Sequence, residues 1–104
     1  MPVQTKSQVL SLLQECKQQL HQFGVNRCGV FGSFGRDLAI HDRSDVDILV
    51  AFDPERKTFD NFIHLSFFLE ELFGRDVDLV TIESLSPYIG SHILEEVEYA
   101  SIRP

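Results

Sequence analysis

Val9, Leu12, Leu13, Cys16, Leu20 and Phe23 recur at helical spacing between polar residues, and this single apolar stripe predicts a helix over Thr5–Phe23. Thr5 with Gln8 has the layout of a capping box, and Gly24 is the expected stop. The run Arg27–Phe31 is short and apolar enough for a strand, and it leads through Gly32-Ser33 into the start of a short helix. Leu38–Arg43 is polar and reads as a loop. From Asp45 to Phe52 the chain alternates as a strand does, with Val46, Ile48 and Val50 on one face and Asp45, Asp47 and Leu49 on the other. Asp53-Pro54 ends that strand.

Thr58–Phe73 predicts a second long helix, capped by Thr58 or Asp60 and closed by Gly74. Its apolar residues spread over roughly 260° of the helical wheel at about 100° per residue, far wider than the stripe of the first helix. Val77–Val80 predicts a third strand, Ser84–Pro87 a break, Tyr88–Val97 a last helix, and a short tail follows. Strands alternating with helices place the chain in the α/β class. No internal repeat, linker or low-complexity segment interrupts the pattern. At 104 residues, 43% of them hydrophobic, the chain is expected to form one domain over residues 1–104 around one core.

Charge narrows the range of partners. Sixteen acidic against nine basic side chains give a formal charge of -7, which disfavours a broad electrostatic grip on DNA or RNA, so no direct nucleic-acid binding is expected. A nucleotide remains possible, because metal ions bridge carboxylates to phosphates, and a basic protein partner would also suit the charge. No basic-then-apolar leader and no membrane-length apolar run is present, so the expected location is cytoplasmic, away from the membrane. Cys16 and Cys28 are too few for a disulfide framework and read as reduced packing residues.

The chemistry is signalled by aspartates inside segments that otherwise look like buried strands. Aspartate is depleted in strands, and a carboxylate buried without a partner costs several kcal/mol. Asp45 and Asp47, two residues apart, share one strand face, and a neighbouring strand could bring Asp78 onto that face. Three converging carboxylates repel one another unless a cation sits among them, and oxygen-only ligands suit Mg²⁺ (or Mn²⁺) rather than zinc. The alternative is that Asp45 and Asp47 face solvent while Asp78 caps a turn. Upstream, Gly32 permits close backbone approach to a ligand, Ser33 offers a hydroxyl, and Arg36 can reach an anion with its forked guanidinium. Taken singly, Gly32-Ser33 reads equally as a helix cap and Arg36 as a surface ion pair. Ser44 can contact phosphate or cap the strand entry; Asp42 and Arg43 read as solvated loop charges. His21, His41, His64 and His92 have no metal-ligand spacing.

Together, GSFGR, SDVDILV and the later VDLV resemble the minimal nucleotidyltransferases of the DNA polymerase beta superfamily, over roughly Arg27 to Val97. The resemblance implies that fold, a small mixed sheet with helices mainly on one side, with a Gly-Ser turn (Gly32, Ser33) binding the triphosphate, Asp45 and Asp47 as metal ligands and Asp78 as the third, and ATP as substrate. The motif departs from the family where Gly35-Arg36-Asp37 replaces a small residue followed by Arg-Gly, and Asp37 adds a negative charge near the expected phosphate site. With its closing LSPYIGSHILEEVEY segment, the chain is similar to family members that look like antitoxins. The resemblance implies that these transfer AMP from ATP to a tyrosine of a HEPN-domain ribonuclease toxin. The wide apolar arc of the second long helix offers an interface for such a partner, unless Phe67 and Phe68 are covered by the last helix. Two rivals stay open: a module that neutralises its toxin by binding alone, and a transferase acting on a small molecule.

Overall fold

The computed structural model describes residues 2–36, 40 and 44–102. The expected loop Leu38–Arg43, apart from Ile40, lies outside the described residues, as do Asp37, His41, Asp42 and Arg43. Helix α1 (Lys6–Glu15) begins where the sequence places it, with the Thr5 hydroxyl accepting from Gln8 N–H at 3.1 Å. The reciprocal half of the box is displaced by one residue, because Gln8 Oε1 accepts from Gln4 N–H (2.6 Å). The expected single helix is two: α1 stops at Cys16 and α2 (Lys17–Gln22) restarts there without a side-chain cap, ending before Gly24 at φ 85°. Both halves still bury their stripe, through Val9 and Leu13 and through Leu20, which is why the hydrophobic pattern gave no sign of the break.

Strand β1 (Val25–Phe31), the short helix α3 (Gly32–Arg36) and strand β2 (Val46–Phe52) follow. After a 3₁₀ turn at Pro54–Arg56 comes α4 (Phe59–Phe73), capped by the Thr58 hydroxyl on Asn61 N–H and closed by Gly74 in the left-handed region at φ 67°. Strand β3 (Val77–Thr81) leads through a second 3₁₀ turn, Ile82–Ser84, to α5 (Pro87–Glu96), whose N-cap is Ser86. The tail forms a strand that the pattern did not predict, β4 (Glu98–Tyr99).

The four strands form one mixed sheet in the order β3-β2-β1-β4, with β2 and β3 parallel and the other pairs antiparallel. Val46, Ile48, Val50 and Phe52 of β2 join Cys28 and Val30 of β1 in a core closed by α1, α2 and α4, so these three helices lie on one side as expected. Burying such a set supplies most of the fold's stability, and truncating Leu69 to alanine should cost about 2–5 kcal/mol. Cys28 belongs to this core, where burial pushes its thiol up to about 12. Cys16 and Cys28 are both free.

Phe31 and Leu49 are buried outside this cluster, on the opposite sheet face, where Val97 and Glu98 close over Gly29. The wide arc of α4 is only partly covered. Phe68 packs on Phe23 at the end of α2 (ring centroids 5.4 Å apart), while Phe59 and Phe67 remain 76% and 60% exposed. The last helix does not cover Phe67.

Candidate active site

Strand pairing brings two of the acids side by side. In the parallel β2–β3 register, Asp47 lies opposite Asp78, and adjacent strands run about 4.8 Å apart. Val77 and Leu79 lean on the core, so Asp78 points to the other face of the sheet, the face that Asp47 shares with Leu49. Asp45 stands just before β2, two residues from Asp47. The entry to β2 is fixed from outside the motif: Arg75 donates to the carbonyls of Ser44 (3.2 Å) and Val3 (2.6 Å), and its guanidinium lies 5.2 Å from the Phe34 ring centre. Val46 N–H adds a bond to the Asp76 carbonyl at 3.0 Å. Nothing in the spacing of Arg75 announced this positioning role.

The glycine turn hangs directly over these acids. Phe31, the last residue of β1, pairs with Asp47, and the chain then turns at Gly32 with φ 68°. A Cβ on Gly32 would sit 2.0 Å from Asp47 Oδ2, so the turn and the carboxylate exclude any side chain at this position. Ser33 is the second residue of α3 and half-buried, which removes the helix-cap account of its hydroxyl. Arg36, at the end of α3, is exposed.

Electrostatics mark Asp47 as the strained member. Its carboxyl is pushed up to about 6 by burial first, then by the charges of Asp78 and Asp45, while Arg36 pulls it back down. Asp45 and Asp78 are exposed, so their side chains are free to turn toward a cation. Among the described residues no three carboxylate, imidazole or thiol groups already form a metal-holding cluster. The donor set nevertheless fits a hard divalent ion. It is oxygen-only, it surrounds a carboxylate whose neighbours disfavour its charge, and a cation would relieve that repulsion.

One participant was absent from the sequence reading. Glu96, the last residue of α5, accepts from Gly32 N–H at its Oε1 (3.2 Å) and from Arg36 Nη1 at its Oε2 (2.8 Å), and its charge also raises Asp47. The only available signal was its place on the inward stripe of α5, three residues after Ile93 and six after the buried Gly90. The described histidines do not join the site; His21 bonds the Ile102 carbonyl (2.6 Å), and His64 and His92 are exposed.

Comparison with known proteins agrees with this architecture. Residues 10–100 match the family model described as a nucleotidyltransferase domain. A Thermococcus cleftensis protein named protein adenylyltransferase MntA is 44% identical over 100 residues, spanning 95% of this chain and 99% of that one. A solved minimal-nucleotidyltransferase structure superposes with a TM-score of 0.71 at 33% identity, covering 86% of this chain and 93% of the other. A toxin-antitoxin crystal structure with AMP-PNP shares the fold at 21% identity, with a TM-score of 0.65 over 90% and 70% of the two chains. Among the described residues no helix is long and apolar enough to cross a membrane. On the family match and the full-length identity together, the chain belongs to the nucleotidyltransferase domain family.

Proposed function

We propose that this chain, acting as one domain over residues 1–104, is an antitoxin that transfers AMP from ATP to a tyrosine of a HEPN-type ribonuclease toxin. The observation that carries the reading is the pairing of Asp47 with Asp78 directly beneath the Gly32 turn, where acids meet a backbone amide and an arginine in one place. The 44% identity to a protein adenylyltransferase supports the reaction class. In the reaction, the tyrosine oxygen forms a bond to the α-phosphorus, the bond from that phosphorus to the bridging oxygen breaks, and pyrophosphate departs.

Asp45, Asp47 and Asp78 would hold Mg²⁺ (or Mn²⁺), which when bound neutralises phosphate charge and makes the acceptor hydroxyl more acidic. Asp78, solvent-exposed on its strand, takes the tyrosine proton. The Gly32 amide, the Ser33 hydroxyl and the Arg36 guanidinium stabilise the negative charge of the phosphates. A small enzyme must borrow the geometry of its acceptor, because transfer needs the hydroxyl close to phosphorus and in line with the leaving group. The exposed Phe59 and Phe67 of α4 and Tyr88, Ile89 and Leu94 of α5 offer apolar surface to such a partner, and the charge of -7 suits a basic one.

The test is to incubate the protein with a HEPN-type protein from the same genome, ATP and Mg²⁺, and to weigh that partner by mass spectrometry. One or more added AMP masses, lost with Asp78→Asn, are expected. A partner that is bound and silenced without added mass, by wild type and aspartate variants alike, would make the chain an occluding module.

A further inference from the structure

Gly32 N–H has one hydrogen to donate, and Glu96 Oε1 holds it; the adjacent Arg36 guanidinium is held by Glu96 Oε2. Those are two of the groups assigned above to the phosphates, and this inference rests on that assignment. The carboxylate comes from 60 residues away in the chain, from a helix that is not part of the aspartate-bearing motif. It is a planar anion with two oxygens, and it spans an amide and a guanidinium as a phosphate edge would.

We propose that Glu96 is a built-in competitor for the nucleotide: its carboxylate stands in for a phosphate at Gly32 and Arg36, and must leave before the triphosphate binds. Two anions at one amide hydrogen repel each other and compete for it. The contact also works against the acids of the site, since Glu96 adds negative charge beside Asp47. While Glu96 is engaged, the binding-competent fraction of the protein is small, and apparent nucleotide affinity falls by that fraction. The Arg36–Glu96 pair is not sealed from water, with side chains 50% and 29% exposed, so the lock is weak enough for a multiply charged ligand to displace. Its location on α5 further means that nucleotide entry releases one tie between α3 and α5.

The test titrates a non-hydrolysable ATP analogue with Mg²⁺ into wild type, Glu96→Gln and Glu96→Ala by calorimetry, with a thermal melt of each. Both variants should bind the analogue about three- to tenfold more tightly, because a part-exposed contact is worth no more than an ordinary net hydrogen bond. In an Arg36→Ala background the gain should shrink to less than half, because one of the two groups competed for is gone. Unchanged or weaker binding in Glu96→Gln and Glu96→Ala overturns the proposal. A lower melting temperature with unchanged affinity would make Glu96 a simple tie for α5, which overturns it equally. If none of the proteins binds the analogue, the assignment of the phosphate site falls with it. If wild type binds and loses binding with Asp45→Asn plus Asp47→Asn, while the Glu96 variants match wild type, only the competitor role is wrong.

Discussion

Gly32→Ala should injure the fold and the acids at once. The methyl would be held at φ 68°, where an L residue costs about 1–2 kcal/mol, and it would point at Asp47 Oδ2 from 2.0 Å. The carboxylate must swing aside, which adds roughly 0.5–1.5 kcal/mol for a displaced rotamer. The sum, about 1.5–3.5 kcal/mol, corresponds to a melting temperature lowered by on the order of 10–20 °C in a domain of this size. Because the displaced group is Asp47, the stabilisation by Mg²⁺ with ATP should also be lost. Removing the carboxylate separates the two effects. In Gly32→Ala with Asp47→Ala the clash is gone, so the double variant should be about 1 kcal/mol more stable than the two single changes add up to. The assay is thermal unfolding of the four proteins followed by circular dichroism, with and without Mg²⁺ and ATP. A Gly32→Ala protein that melts within about 2 °C of wild type and keeps its ligand response would mean that the Gly32 turn tolerates a side chain against Asp47.

Asp45→Asn with Asp47→Asn should abolish the rise in melting temperature that Mg²⁺ and ATP give the wild type, leaving the apo protein as stable or more so; an unchanged ligand response would remove the metal assignment. For apo stability against pH, Asp47 rises from the ordinary 3.8 to about 6, so the native state binds more protons than the unfolded state between those values, and stability falls as pH rises through the window. Half-exposure screens the effect to about 1 kcal/mol, so Asp47→Asn should match wild type near pH 4 and exceed it by that amount at pH 7; a pH-independent difference between them would contradict the shift. Ser33→Ala should weaken ATP binding about two- to tenfold while changing apo stability by less than about 0.5 kcal/mol, and a clear loss of stability with unchanged ATP affinity would return Ser33 to a structural role.

Where local chemistry decides structure, the sequence was readable. Thr5 and Thr58 cap because a hydroxyl three residues before an orphan amide has an immediate partner, and Gly74 closes α4 because it alone tolerates the left-handed turn. The aspartates were legible because a charge within a strand contradicts its surroundings, and parallel register then set Asp47 beside Asp78. What escaped depends on partners distant in sequence. The break at Cys16 leaves the apolar stripe intact, so periodicity cannot register it. β4 has only two residues and exists through its pairing with Gly29 and Val30, where the absent side chain of Gly29 lets Glu98 approach. Phe67 could be read either as interface or as covered by the last helix, and α5 turns toward α3, where Glu96 anchors it, leaving Phe67 exposed. Glu96 and Arg75 look like ordinary surface charges until the fold supplies what they touch.

The strand order puts Asp78 on β3, the outermost strand on its side of the sheet. An edge strand offers unpaired backbone to any extended chain that comes alongside, and proteins defend such edges by brevity and charge. β3 has both: five residues, an aspartate at its second position, and a Glu70 carboxylate that already takes Val77 N–H (3.3 Å). The charge of Asp78 therefore adds to the defence of that edge, besides its place in the candidate site. An Asp78→Asn protein made to stop catalysis gives up part of that defence, and its aggregation at high concentration would report on the unguarded edge rather than on the chemistry.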